Sequence, residues 1–137
     1  KPATVYFQTY NTNTKMISDL TNSNPDIFLD KELEIRRQNK LPPFQRFISL
    51  ILTGDNETKL EKEAFHFKNF IEKKIDGMVL GPVSAPIFRL KRKFRIRILI
   101  RGSKSLKLQN TMANLISNYK FPSGIKLSVD VDPINFN

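Results

Sequence analysis

Residues 93–101 alternate in two chemistries: Phe94, Ile96, Ile98 and Ile100 occupy every second position, and Arg95, Arg97 and Arg101 fall between them. A period of two belongs to a strand with one buried face, so the isoleucines should meet a core and the arginines the opposite side. Residues 44–54 read the same way, with Phe47, Ser49 and Ile51 on one side and Ile48, Leu50 and Leu52 on the other. Near the end of the chain Ile125, Leu127, Val129 and Val131 again share one face. Helical spacing separates these strands. Leu60, Ala64, Phe67, Ile71 and Ile75 form one stripe over residues 56–75, with Asp55 as the expected N-cap. Leu108, Met112, Leu115 and Tyr119 form a second, with Ser103 as its cap. Residues 77–91 supply extended chain broken at Gly81-Pro82.

From residue 44 onward the order is therefore strand, helix, strand, strand, helix, strand. This predicts an α+β, ferredoxin-like split β-α-β β-α-β unit, an antiparallel sheet with both helices on one face. Sorting every strand by period two places Phe88 and Leu90 inward, with Arg89, Lys91, Arg95, Arg97, Arg101 and Lys126 together on the open face. Ile87 and Leu99 are apolar exceptions among them.

Upstream, residues 3–9 (ATVYFQT) read as a short strand, the Asn/Thr-rich YNTNT as a turn, and residues 15–20 as a helical stub. TNSNPD, residues 21–26, is a cluster of helix and strand breakers and the best boundary in the chain. A helix follows, with Ile27, Leu33 and Ile35 among charges, ending before Pro42-Pro43. The expected organisation is 1–20, 21–43 and 44–137. The chain opens on Lys1 and runs at once into strand-like sequence, which reads as an excised fragment.

Charge sharpens the reading of the open face. The 137 residues carry a formal net charge of +10, and residues 77–129 hold eleven Lys or Arg and no Asp or Glu, leaving the remainder nearly neutral. So one-sided a block on a folded segment is an electrostatic footprint for a polyanion. The plainer reading is a solvated sheet face. RNA-recognition sheets stack bases on aromatics of their central strands, but KFRIRILIR lacks the accompanying glycines and turns its one aromatic to the core. Guanidinium contact with phosphates positions a nucleic acid without reading its sequence. The candidate DNA-binding set is Arg89, Lys91, Arg92, Lys93, Arg95, Arg97, Arg101, Lys104 and Lys126.

Other chemistries find little support. With no cysteine, thiolate zinc sites, disulfides and cysteine nucleophiles are excluded, and a reducing cytoplasm is expected. The apolar runs are too short to span a bilayer, so no membrane partner is expected. His66, the only histidine, falls between stripe positions Ala64 and Phe67 and reads as packing rather than as a general base. Asp130 and Asp132 would make a poor metal cage from alternate positions of one strand. Asn56-Glu57-Thr58 matches a glycosylation sequon by chance, and no phosphate-binding GxxxxGK[ST] loop occurs. No catalytic or metal residue is expected in this polypeptide.

Several blocks carry a family resemblance: ELEIRRQNKLPPF (32–44), LGPVSAPIFRLKRKFRIRILIRG (80–102) and LSVDVDPINF (127–136). In this order they resemble the C-terminal region of the bacterial primosomal replication-restart DNA helicases, and VYFQTYN (5–11) resembles the last strand of the second helicase lobe. The resemblance implies a fragment of an ATP-dependent 3′-to-5′ helicase that recognises branched forks and reloads the replication machinery. It implies a fold similar to a ribosomal small-subunit protein, and as partners forked or single-stranded DNA, single-stranded DNA-binding protein and other primosome proteins. ATP with magnesium and structural zinc would belong to parts of the parent that this chain lacks. Two uses of the basic face follow: sequence-independent DNA binding, or docking of the helicase core or an acidic protein tail.

Overall fold

The computed structural model describes residues 3–11, 14–22 and 25–134. They form α1 (Lys15–Asn22), α2 (Pro25–Gln38), β1 (Arg46–Gly54), α3 (Glu57–Glu72), β2 (Gly77–Leu90), β3 (Lys93–Gly102), α4 (Leu106–Ser117) and β4 (Lys126–Val131). The chain divides into two compact units, Lys1–Asn39 and Lys40–Asn137.

The second unit is an open antiparallel sheet in the order β2-β3-β1-β4, which is the α+β arrangement expected from the element order. Its inner face is built by register. Ile48 lies opposite Ile100, Leu50 opposite Ile98 and Leu52 opposite Ile96, and β4 adds Leu127, Val129 and Val131 to the same rows. Leu60, Ala64, Phe67 and Ile71 of α3 and Leu108 and Met112 of α4 close over them. Five of the eight largest fully buried side chains come from β1 and β3. At about 1.5–3 kcal/mol for each buried aliphatic or aromatic side chain, the two central strands are the most firmly held part of the fold. Phe67, Tyr119 and Phe121 pack as an aromatic group with centroids 4.7–4.9 Å apart, anchoring the chain after α4.

Several details differ from the sequence reading. Asn56, not Asp55, caps α3, its Oδ1 accepting the Lys59 N–H at 2.8 Å. Either side chain offers a suitable acceptor, and the helix begins one residue later than the pattern suggests. At α4 the N-cap position is Ser105, and its hydroxyl lies 3.1 Å from that of Ser103 rather than capping the helix. Gly81-Pro82 does not end a strand. It sits inside β2, where the register with β3 shifts.

In the first unit, the Lys31 ammonium reaches Asp19 of α1 at 3.1 Å, and Arg36 donates to Glu32 within α2 at 2.7 Å. Residues 3–10 form no strand, and Val5, Tyr6 and Phe7 are exposed. An isolated β segment gains nothing without a sheet to join. Thr12 and Asn13 of the expected turn, Ser23 and Asn24 of the expected linker, and residues 135–137 lie outside the described residues.

Candidate nucleic-acid interface

Because β3 is flanked on both sides, its outward side chains are the middle of the open face. The register arranges that face in rows. Met78, Arg101 and Phe47 form one, and Leu80, Leu99, Ser49 and Asp130 the next. Val83, Arg97, Ile51 and Ser128 form a third, followed by Arg95, Thr53 and Lys126. Arg95, Arg97 and Arg101 thus lie in line along one strand, with Lys126 two strands, or about 10 Å, from Arg95.

These arginines are half-buried rather than fully solvated. Arg97 has its Nε buried against the sheet, and Arg101 points a terminal nitrogen at the Met78 sulfur, 3.6 Å away. Arg95 donates to the Ile87 carbonyl at 3.4 Å. Neighbouring strands limit the rotamers of each guanidinium, so an approaching anion meets donors held in place on a rigid strand.

The expected continuous basic face is not formed, and the reason lies in β2. Between Leu80 and Val83, and again between Ser84 and Arg89, β2 has more residues than β3 across the same span. The first shift adds one residue and the second three, so each inverts the faces and the two together cancel, which puts Arg89 on the same side as Val79. Arg89 consequently lies opposite Phe94, on the helix side, with its guanidinium 5.3 Å from that ring. Leu90, expected inward, lies opposite Lys93 on the open side and is exposed. Lys91 is not on the face either. With Arg92 it forms the turn between β2 and β3. Lys93 approaches Asp55 at 3.8 Å, and Lys104 is exposed in the β3–α4 connection.

The same register brings in residues that the alternation does not single out. Met78, Leu80 and Val83 are exposed apolar neighbours of the arginine row. Phe47 and Ser49 are buried on the open side of β1. The shift at Gly81 is the feature that moves Val83 beside Arg97. Its φ is +96°, and a Cβ there would stand 2.8 Å from the Arg97 carbonyl oxygen.

Asp130 and Asp132 take separate roles. Asp132 at the end of β4 accepts the Phe47 N–H through Oδ1 and the Arg46 Nε through Oδ2, each at 3.1 Å, which fastens β4 to β1. Asp130 lies opposite Ser49 on the open face. Among the described residues no cluster of three or more potential metal ligands occurs, and no helix is long and apolar enough to cross a membrane. His66 is exposed on α3.

Comparison with known proteins gives this geometry its context. The family model of the primosomal protein N C-terminal domain matches residues 37–134. A replication restart protein PriA of Rickettsia felis is 36% identical over 132 residues, covering 96% of this chain and 20% of that protein. Those of Synechocystis and Bacillus subtilis are 27% and 23% identical, over 100% and 97% of the chain and 16% and 17% of their own lengths. The chain thus spans about a fifth of the length of the curated relatives it matches. With the family match running from the end of α2 past the last strand of the sheet, the chain belongs to the primosomal protein N C-terminal domain family.

Proposed function

We propose that Arg95, Arg97 and Arg101, with Lys126 beside them, bind the phosphodiester backbone of branched or single-stranded DNA without reading its sequence. In the longer protein this contact would support fork recognition and primosome assembly. The reading rests above all on one observation: the central strand β3 gives three of its inner positions to buried isoleucines and three of its outer positions to arginine. A solvated surface has no need to anchor its charges on the most rigid strand. The segment would work without a cofactor of its own, in a bacterial cytoplasm. ATP hydrolysis with magnesium, 3′-to-5′ unwinding and zinc binding would belong to the other four-fifths of the parent.

A second reading has its own support. Met78, Leu80 and Val83 place exposed apolar surface directly beside the arginines. An acidic tail with apolar side chains, such as that of single-stranded DNA-binding protein, or part of the helicase core, would engage both chemistries.

Anisotropy of labelled forked DNA, titrated with the chain across a salt series, separates the readings. The DNA reading expects log K to fall steeply with log salt, and Arg95→Ala/Arg97→Ala/Arg101→Ala to lower that slope by about 0.9 for each phosphate released from the face. Equal binding by wild type and variant, or none by either, overturns it. An acidic peptide then becomes the ligand to titrate.

A further inference from the structure

The turn joining β2 to β3 is made of two long cations in a conformation that L side chains avoid. Lys91 has φ of 50° and Arg92 of 65°. Leu90 pairs with Lys93, so these two residues are the whole loop. Positive φ at both central positions is the type I′ pattern, which favours Asn-Gly because a Cβ crowds the following carbonyl there. Lys-Arg makes this turn less stable than it could be, and both side chains are exposed. Their flanking cations are engaged elsewhere, Arg89 over the Phe94 ring and Lys93 near Asp55.

The turn also lies past the last paired residues of the neighbouring strands. Pairing of β1 with β3 stops at Gly54 opposite Phe94, and β4 pairs no further than Thr53 with Lys126. Beyond them only the Leu90–Lys93 pair and the two turn residues project, as a hairpin tip. The long side chains of such a tip can reach into the major groove of duplex DNA, roughly 12 Å wide, whose walls are phosphates.

We propose that this turn is a duplex-specific contact, in which Lys91 and Arg92 enter the groove of a double-stranded arm and bind phosphates on its walls, separately from the β3 row. The proposal rests on the DNA-binding reading of that row. One arm of a branched substrate would meet the tip while the arginine row holds backbone along the sheet.

The test compares the 137-residue chain with its Lys91→Asn/Arg92→Gly variant, using a blunt duplex and a single strand of the same sequence. The variant carries the residue pair the turn prefers, so its melting temperature should stay level or rise. Its duplex affinity should fall roughly tenfold at moderate salt, with the log–log slope lower by about 1.8, while single-strand affinity changes less than about twofold. A lower melting temperature overturns the premise that the turn gives up stability. Unchanged duplex binding overturns the proposal and leaves the β3 reading standing. Equal losses on both probes overturn duplex specificity. If wild type binds neither probe, the underlying DNA reading fails first, and the β3 triple variant shows nothing further to lose.

Discussion

The Tyr119 hydroxyl donates a 2.6 Å hydrogen bond to Glu63 Oε1, joining the chain beyond α4 to the middle of α3. Glu63 is one of two buried polar residues among those described, so Tyr119 supplies a donor to a carboxylate largely removed from water. Removing a donor from a buried acceptor exposes the desolvation cost of the group left behind. Tyr119→Phe should cost about 1–3 kcal/mol in urea denaturation while keeping the aromatic packing against Phe67 and Phe121.

The same hydrogen bond predicts an alkaline signature. Burial first, and then the hydrogen bond and charge of Glu63, push the Tyr119 hydroxyl above the usual tyrosine range. A group held protonated in the fold contributes stability that is complete below its unfolded pKa, about 10, and is lost as pH rises toward the folded value. Wild type should therefore lose stability more steeply than Tyr119→Phe above about pH 10. Urea midpoints for both proteins at about pH 8 and pH 11 measure the difference, and parallel losses would remove Tyr119 from the account.

Gly81 holds the register shift that sets Val83 beside Arg97. Its φ of +96°, and the 2.8 Å that would separate an added Cβ from the Arg97 carbonyl oxygen, leave Gly81→Ala strained twice over. A loss of about 2 kcal/mol or more is expected, read as a lower denaturation midpoint. Weaker DNA binding should accompany it, because the carbonyl that must move belongs to the central residue of the arginine row.

How far the sequence reaches follows from these residues. Alternation alone is enough to orient Ile96, Ile98 and Ile100 against the helices and Arg95, Arg97 and Arg101 away from them, because β3 pairs with β1 without a shift. It misplaces Arg89 and Leu90 because Phe88 and Leu90 are the apolar members of their segment, whereas the pairing of Arg89 with Phe94 and of Leu90 with Lys93 decides the faces and is invisible until the partner strand is known. The cap positions of α3 and α4 fall one and two residues beyond those expected, where several polar side chains close together offer equivalent acceptors. Residues 3–9 have the composition of a strand, but sheet formation depends on a partner that local sequence does not supply.

Asp130 and Asp132 should separate cleanly under mutation. Asp132 bonds both the Phe47 N–H and the Arg46 guanidinium, so Asp132→Ala should cost about 1–3 kcal/mol and loosen β4 from β1. Asp130 faces outward opposite Ser49, on the arginine side of the sheet. Asp130→Asn should leave the melting temperature unchanged and raise DNA affinity by roughly two- to threefold at low salt, since it removes a charge that repels phosphate. Reversed effects, with Asp130 governing stability and Asp132 governing affinity, would contradict the placement of the two carboxylates.

Arg89 and Arg97 offer the sharpest contrast between sequence pattern and register. Both are arginines in the acid-free block and both fit the alternation, yet Arg97 lies on the open face and Arg89 lies over the Phe94 ring on the other. A guanidinium stacked on a ring at an exposed site is worth about 0.5–1 kcal/mol. Arg89→Ala should therefore lower stability by about that amount and leave the salt slope of DNA binding unchanged, whereas Arg97→Ala should lower the slope by about 0.9. The two single variants need only one duplex or fork probe and the same salt series. If Arg89→Ala flattens the slope as much as Arg97→Ala does, phosphate binding extends around the edge of the sheet, and the register of β2 with β3 does not decide which cations reach the DNA.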